Sequence, residues 1–196
     1  MRRGNRERIL DASVELFNFS GTVAVTTNHI AKHLKISPGN LYFHFRDKEE
    51  IIRELFQRLN AAVYAAWDAK AGLEPERFLA NSLEVFWTYR FFHREMYHLR
   101  RQDPLLAKAW KRHMRLCYKL FKLYYREWLR SGLVREIRAA EQLQRLSESL
   151  LLTSSASLGF FESLEKPASR RVLRSALDHV NQVSQPYYAG RLKPPS

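Results

Sequence analysis

Apolar residues recur every three or four positions along nearly the whole 196-residue chain, which is the spacing of one face of an α-helix. Ile51, Leu55 and Leu59 show the pattern in the segment that follows Asp47. No alternating apolar and polar pattern extends beyond a few residues, so extended strands are not indicated. With 45% hydrophobic residues and 7 Gly and 7 Pro, the chain is predicted to be globular and all-α.

Helix ends are marked by residues that cap or stop helices. Thr26, Ser37, Asp47 and Asp103 are each placed as N-caps, and Gly21 and Gly132 as stops. Pro38 follows Ser37 at the first helical position, where a missing N–H costs nothing. The last residues hold three prolines without apolar periodicity and are predicted to be an extended or mobile tail. The predicted helices cover about 6–19, 27–34, 38–45, 47–72, 75–92, 94–102, 104–131, 139–164 and 168–184.

Two of these helices are short and are joined by the three-residue turn Lys35 to Ser37, which is the layout of a helix-turn-helix. The second helix of that motif enters the major groove with its N-terminal residues on the base edges. Asn40 can pair bidentately with an adenine, Ser37 can bond several bases, and Pro38 can contact a thymine methyl. Gly39 adds a bare backbone that permits close approach. A DNA-reading function is therefore predicted for this segment.

Other polar residues around the motif are placed to bind phosphates and so set the register on DNA. Thr26 and Thr27 stand at the start of one helix, and Tyr42, His44 and Lys48 follow the other. Leu41 and Phe45 are predicted to pack the helix against its neighbours. A surface hairpin whose aromatic residues merely pack is the alternative for this segment.

The charge distribution adds a second feature, because the net charge of +13 is concentrated in mid-chain. Residues 90–138 carry 14 basic and 4 acidic side chains. Within the helix from Pro104, basic residues recur every three or four positions from Lys108 to Arg130. This basic stripe is either a solvated helix face, an anion-binding surface or a contact with distant DNA.

The same region has an unusually aromatic interior, which suits an apolar or aromatic small molecule. Core packing is the alternative explanation for each of these residues. Arg90 could bind the charged end of an anionic amphipathic ligand. The predicted effector pocket is lined by Phe86, Trp87, Arg90, Met114, Cys117, Tyr118, Phe121 and Phe160.

Enzymatic, metal and membrane functions find little support in the sequence. Cys117 is the single cysteine and has no identifiable histidine base, so neither a disulfide nor a catalytic thiol is expected. His29 and His33 are spaced like zinc ligands but lack a third ligand, and no phosphate-binding glycine loop occurs. Charged residues interrupt every apolar run before the roughly 18 residues of a membrane span, and the N-terminus is polar again by Asp11. A cytoplasmic protein without cofactors, catalytic residues or metal is expected.

The pattern "IL.A...LF...G....TT..IA..L..S.GNLY.HF..K" resembles the TetR family of bacterial transcriptional regulators over about the first 55 residues. Beyond that segment the likeness is in helical layout and length. One departure is Lys35, where the family commonly has glycine; a left-handed lysine there costs about 1 kcal/mol, which a phosphate contact could offset. The matching residues are Ile9, Leu10, Leu16, Phe17, Gly21, Thr26, Thr27, Ile30, Ala31, Ser37, Gly39, Leu41, Tyr42, His44, Phe45 and Lys48.

The resemblance implies a three-helix DNA-binding head and a helical-bundle body that binds ligand and dimerises. It implies a homodimer that binds a palindromic operator in double-stranded DNA as a repressor and is released by a small-molecule effector. The expected domains are 1–47 for the head, 48–185 for the body and 186–196 for the mobile tail. An activator or chromosome-associated DNA binder without the switch, or an all-α interaction or enzymatic domain, are the alternatives. The expected DNA-binding residues are Thr26, Thr27, Asn28, Lys35, Ser37, Pro38, Gly39, Asn40, Tyr42, His44 and Lys48.

Overall fold

The computed structural model describes residues 4–66, 84–164 and 169–189. Within these ranges the secondary structure is helical, apart from turns and one isolated antiparallel bridge between Val134 and Tyr188. The predicted all-α class is therefore confirmed. Residues 84–88 are helical. The named helices are α1 (Asn5–Ala24), α2 (Thr27–Leu34), α3 (Pro38–His44), α4 (Lys48–Ala66), α5 (Arg90–Gln102), α6 (Pro104–Arg130), α7 (Ala140–Leu164) and α8 (Arg170–Ser184), followed by a 3-10 helix, Gln185–Tyr187.

The predicted caps form the expected local hydrogen bonds. The Ser37 hydroxyl accepts from the Asn40 N–H at 3.1 Å, and the Asp47 carboxylate accepts from the Glu50 N–H at 2.7 Å. Asp103 caps α6 by accepting from the Leu106 N–H at 3.1 Å. Each bond satisfies a helix N–H that has no partner within its own helix. These short-range rules explain why the helices that follow Ser37 and Asp103 begin at the predicted positions, Pro38 and Pro104.

By packing, the chain divides into two compact units, Met1–Ala62 with Thr88–Trp110 and Val63–Trp87 with Lys111–Ser196. The first unit contains α1, α2, α3 and α5, together with the beginnings of α4 and α6. The head predicted for residues 1–47 thus packs with further segments of the chain. The boundary at residue 47 stays a prediction about function.

The core of the first unit is built from large apolar side chains of several helices. The Phe17 and Phe91 rings lie 5.3 Å apart, and the Phe56 and Phe92 rings 5.6 Å apart. All four side chains are almost completely buried. Leu41 and Phe45 are also fully buried, which agrees with the packing role predicted for them. Burial of this kind stabilises a fold by about 1.5–3 kcal/mol per large apolar side chain.

The start of α5 differs from the prediction, which placed a helix break between residues 92 and 94. The break is at Tyr89, and α5 begins at Arg90. The side chain of Asn18 explains the shift, because its Nδ2 donates to the Thr88 carbonyl at 2.8 Å and its Oδ1 accepts from the Phe91 N–H at 3.1 Å. A tertiary contact from α1 therefore sets this helix boundary.

The second unit has an aromatic cluster around the end of α6. Tyr124, Trp128 and Tyr188 are buried there, and the Tyr125 hydroxyl donates to the Arg135 carbonyl at 3.2 Å and accepts from the Ile137 N–H at 2.6 Å. Gly132 follows α6 with φ +73°, as its predicted stop requires.

The first residues of the predicted extended or mobile tail, 186–196, make specific contacts in the structure. The Tyr187 carbonyl accepts from the Arg135 N–H at 2.7 Å, and the Ala189 N–H donates to the Leu133 carbonyl at 2.9 Å. Tyr188 is 8% exposed, since its ring joins the aromatic cluster. These contacts come from a segment more than fifty residues earlier, so local composition could not predict them. Residues 190–196 lie outside the described residues.

Candidate nucleic-acid interface

The start of α2 is held by a reciprocal pair of cap bonds between Thr26 and His29. The Thr26 hydroxyl accepts from the His29 N–H at 3.2 Å, and His29 Nδ1 accepts from the Thr26 N–H at 3.3 Å. Histidine here occupies the position that glutamate or glutamine usually takes in a capping box. Val25 and Ile30 are buried beside it, at the positions of a hydrophobic staple. The exposed Thr26 and Asn28 thus stand on a rigid helix end.

The turn between α2 and α3 passes through Lys35 in the left-handed conformation, with φ 56° and ψ 41°. The Lys35 N–H donates to the Lys32 carbonyl at 3.1 Å, and the Ile36 N–H donates to the Ala31 carbonyl at 3.0 Å. These bonds satisfy the last carbonyls of α2. The left-handed residue foreseen at this position is therefore present, and the Lys35 side chain is exposed.

The N-terminal end of α3 is the most accessible part of the motif. Ser37, Pro38 and Gly39 are all exposed, and no atom other than the Ser37 hydroxyl lies within 4 Å of the position that a Gly39 Cβ would take. Leu41 and Phe45 hold the opposite side of α3 in the core of the first unit. A polar, bare helix end on a fixed support is the geometry that base reading requires.

Asn40 is half-buried and has a partner in α1 that the sequence did not indicate. Asn5 Nδ2 donates to Asn40 Oδ1 at 3.3 Å, and Arg8 Nη1 donates to Asn5 Oδ1 at 2.9 Å. The bond engages the Asn40 carbonyl oxygen and leaves its NH₂ available as a donor. Sequence reasoning missed Asn5 because the two asparagines are separated by 35 positions.

Two of the predicted phosphate-binding residues form one site, and a third lies at the end of α3. The Tyr42 hydroxyl lies 3.0 Å from the Thr27 hydroxyl, so these two groups form one polar site across α2 and α3. His44 is half-buried at the end of α3, with its ring centroid 5.1 Å from that of Phe43. Phe43 itself is 85% exposed, so its ring is accessible next to Tyr42.

Lys48 has an intramolecular role that differs from the predicted phosphate contact. Its ammonium donates to the Thr22 carbonyl at 2.6 Å and to the Val25 carbonyl at 3.1 Å. Two of its three donors are thus used within the first unit. Lys48 fixes the junction of α1 and α2 to the start of α4, and so positions the motif from behind. The predicted phosphate contact of Lys48 stays a prediction.

The residues of the predicted effector pocket lie on several elements, and the pocket itself stays a prediction. Phe86 and Trp87 pack against Val172, and Arg90 belongs to the other unit. Phe160 is 60% exposed on α7, which does not support its place in an enclosed pocket, because such a pocket buries its lining. Met114, Tyr118 and Phe121 are half-buried on α6.

Cys117 lies in the interior of the second unit, with its Sγ 3.5 Å from Nε2 of His113. Burial raises the pKa of the Cys117 thiol to about 12 and lowers the pKa of His113 to about 4. Both groups are therefore neutral at pH 7. A neutral thiol is a weak nucleophile. The sequence indicated no histidine beside Cys117, and His113, one helical turn earlier, is that neighbour.

A cleft of about 540 Å³ lies within the first unit, where the end of α1 meets the start of α4 and the end of α5. None of the eight residues predicted for the effector pocket lines it. Separately, no helix in the described ranges is long and apolar enough to cross a membrane. The cleft is lined by Thr22, Val23, Lys48, Glu49, Ile52, His98, Leu99, Gln102, Asp103 and Leu106.

Two family descriptions match consecutive parts of the chain. "Bacterial regulatory proteins, tetR family" matches residues 9–55, and "Bacterial transcriptional repressor" matches residues 54–193. The chain is 33% identical over 86 residues to the class D tetracycline repressor of Escherichia coli, covering 44% of this chain and 39% of that protein. It is 41% identical over 54 residues to an HTH-type transcriptional regulator of Staphylococcus aureus, covering 28% and 29%. These matches span less than half of either relative.

A solved structure extends the likeness to nearly the whole chain. The TetR-family transcriptional regulator from Marinobacter aquaeolei VT8 superimposes with a TM-score of 0.84 at 30% identity, covering 95% of this chain and 92% of that one. The family matches at residues 9–55 and 54–193 thus cover the helix-turn-helix and the helices that follow it. The chain belongs to the TetR family of DNA-binding bacterial transcriptional regulators, which are transcription factors and not enzymes.

Proposed function

We propose that this protein is a homodimeric repressor that binds a palindromic operator through α3 and is released by a small apolar or amphipathic effector. The observation that carries the proposal is the capped, exposed N-terminal end of α3, where Ser37, Pro38 and Gly39 stand clear of the core. Asn40 adds an oriented amide at the same end. We expect the protein to act in the cytoplasm, where its DNA would be.

In this proposal the residues of the motif divide between bases and phosphates. Ser37, Pro38 and Asn40 would contact base edges, since they lie on the leading end of the helix. Thr27 and Tyr42 would bind one phosphate together, because their hydroxyls are adjacent. Lys35 would bind a second phosphate from the exposed turn, which offsets the cost of its left-handed backbone. Thr26, Asn28 and His44 would contact the backbone at the margins.

Dimerisation is supported by an apolar stripe on α7. Leu152, Phe160 and Leu164 are 69%, 60% and 67% exposed, and their spacing of eight and four residues aligns them on one helix face. Ala156 continues the same line. A contiguous apolar stripe on a helix surface is a feature of protein interfaces. We propose that the same stripe of a second copy covers it, which would set two α3 helices on the two halves of a palindrome.

The effector proposal rests on the aromatic content of the second unit. Half-buried Met114, Tyr118 and Phe121 leave ring and thioether surface that a ligand could cover, and Trp87 can report on binding by fluorescence. An apolar or amphipathic molecule would gain about 25 cal/mol for each Å² of apolar surface buried. Its binding would release DNA if it bound the DNA-free conformation more tightly than the DNA-bound one.

Titration of the protein against DNA from upstream of its own gene, with a scrambled duplex of equal length and composition, tests the central claim. We expect at least about 10³-fold preference for the upstream DNA at 150 mM salt, as specific regulators show. Asn40→Ala should reduce that preference. Lys35→Gln, which removes the charge and keeps a polar side chain, should weaken binding to both duplexes and lower the salt slope by about 0.9. Equal binding of both duplexes by the unaltered protein would contradict the proposed repressor function.

A further inference from the structure

Six basic side chains form one continuous face on α6. Successive members lie one, three or four residues apart, which places them within an arc of about 100° on the helix and over a length of about 22 Å. All six are exposed, and all belong to the second unit. We call this the cationic face; it consists of Lys111, Arg112, Arg115, Lys119, Lys122 and Arg126.

No acidic side chain in the described part of the chain pairs with these six residues. Elsewhere in the same unit, Arg130 pairs with Glu127, and Arg145 pairs with Glu141 one helical turn away. The cationic face has no such local partner in the described part of the chain. A merely solvated helix surface would be expected to mix charges of both signs in the same way.

The arrangement has an energetic cost within the isolated protein. Like charges three or four residues apart destabilise a helix by about 0.2–0.5 kcal/mol for each pair. Lys111 with Arg115, Arg115 with Lys119, and Lys122 with Arg126 all have this spacing. A polyanion bound along the helix would reduce this repulsion. The face should therefore bind an extended anion more tightly than an equal number of scattered basic residues would.

The surroundings of the cationic face favour a polyanion as its partner and do not favour a lipid bilayer. The opposite side of α6 is buried, with His113, Cys117 and Trp128 in the interior. Between Lys111 and Arg126, where every residue is described, Leu123 is the single exposed large apolar side chain. A helix that lies in a membrane interface needs a broad apolar face to insert, and this one is already used for packing.

The charge spacing matches a nucleic-acid backbone. Double-stranded DNA carries one phosphate for about every 3.4 Å of axis on each strand, so a row of cations about 22 Å long can reach several successive phosphates of one backbone. Lysine and arginine in such a row bind phosphates without reading sequence. We infer that the cationic face is a second, sequence-independent contact surface for the phosphate backbone of double-stranded DNA. This surface consists of residues other than those of the helix-turn-helix, and its binding to DNA does not require the operator sequence.

Neutralising part of the face in the full-length protein tests this inference. The test variant carries Lys111→Gln, Arg115→Gln, Lys119→Gln and Lys122→Gln, which keep helix propensity and leave the buried residues of α6 unchanged. The matched control removes the same net charge from exposed arginines of the same unit and carries Arg135→Gln, Arg138→Gln, Arg171→Gln and Arg174→Gln. Affinity for a random-sequence duplex is measured between 50 and about 300 mM salt for both variants and the unaltered protein.

The test variant should bind the random duplex at least about tenfold more weakly at 100 mM salt, and the salt slope should fall by about two to four. The control should change the slope by less than about one. The ratio of operator to random affinity should stay constant, which separates this surface from the helix-turn-helix: Asn40→Ala changes that ratio instead. Equal effects of the test and control variants would overturn the inference, because net charge alone would then explain them.

Two further measurements keep the outcome interpretable. Thermal unfolding should show the test variant to be at least as stable as the unaltered protein, since like-charge repulsion has been removed. The second measurement is binding to vesicles of phosphatidylserine and phosphatidylcholine. If the test variant lost vesicle binding while its DNA affinity and salt slope stayed unchanged, the face would serve a membrane surface and the inference would be wrong.

Discussion

At the residue scale, the pair of Asn5 and Asn40 determines how the leading end of α3 presents its amide. Asn5 donates to Asn40 Oδ1, which leaves the Asn40 NH₂ to donate to a base. Asn5→Ala should let the Asn40 amide rotate and relax base preference at that position by about 1 kcal/mol, or roughly fivefold. Binding to an operator pool with each position randomised in turn measures the change.

Asn5→Asp supplies the matched control for this pair. A carboxylate accepts instead of donating, so it should turn the Asn40 amide over and change the preferred base rather than relax the preference. If Asn5→Ala left the preference unchanged while Asn40→Ala altered it, Asn40 would be oriented by something other than Asn5.

His113 is a second single residue with a measurable consequence. Burial holds its pKa at about 4, compared with about 6.5 in an unfolded chain. Below pH 6.5 the unfolded chain therefore takes up a proton that the folded one does not, and stability falls by about 1.4 kcal/mol for each pH unit down to about pH 4. Denaturant unfolding at pH 7.5 and pH 5 should show a loss of about 2 kcal/mol from this group.

His113→Leu should remove that part of the pH dependence, whereas His98→Gln, on an exposed position, should leave it in place. Equal pH dependence in His113→Leu and the unaltered protein would show that His113 is already protonated or accessible in the fold.

At the element scale, Gly21 and Gly39 are needed for different reasons. Gly21 interrupts α1 with φ +77°, and a Cβ there would lie 2.9 Å from Oε1 of Glu95, which accepts from the Thr22 N–H at 3.1 Å. Gly21→Ala should destabilise the fold by about 1–3 kcal/mol, because it combines a left-handed backbone with a steric clash. Denaturant unfolding measures this loss.

Gly39→Ala provides the comparison, since that position is helical and open. It should leave stability unchanged or raise it by up to about 1 kcal/mol, while operator affinity falls because the added methyl group stands on the end that approaches DNA. A Gly39→Ala protein with full operator affinity would place the base contact elsewhere on α3.

At the scale of the whole molecule, the proposed dimer depends on the apolar stripe of α7. Phe160→Glu should convert the protein to a monomer in sedimentation velocity at micromolar concentration, because a buried carboxylate without a partner costs several kcal/mol. Affinity for a palindromic operator should fall with it, since the two half-sites would bind independently. Leu105→Glu, which alters an equally exposed apolar residue at 62%, should leave the dimer intact. A Phe160→Glu protein that remained dimeric would move the interface to another surface.

The chain fold was predictable because helix starts and stops depend on residues within one turn of each other. Thr26, Ser37 and Asp103 cap the helices that follow them, and the left-handed turn is at Lys35. The sequence did not predict the helix break at Tyr89 or the packing of the residues after Gln185, and the two have the same cause. Both depend on partners far along the chain, namely Asn18 and the segment around Leu133.

The sequence alone determined the helical class, the helix-turn-helix and the family, since all three are written in local spacing and in residues that cap, stop or pack a helix. Only the tertiary structure decided which polar atoms remain available. It bound the Lys48 ammonium to the Thr22 and Val25 carbonyls, turned Asn40 toward Asn5, and exposed Phe160. The physical reason is that hydrogen-bond partners and burial are set by packing between distant segments, which no local pattern encodes.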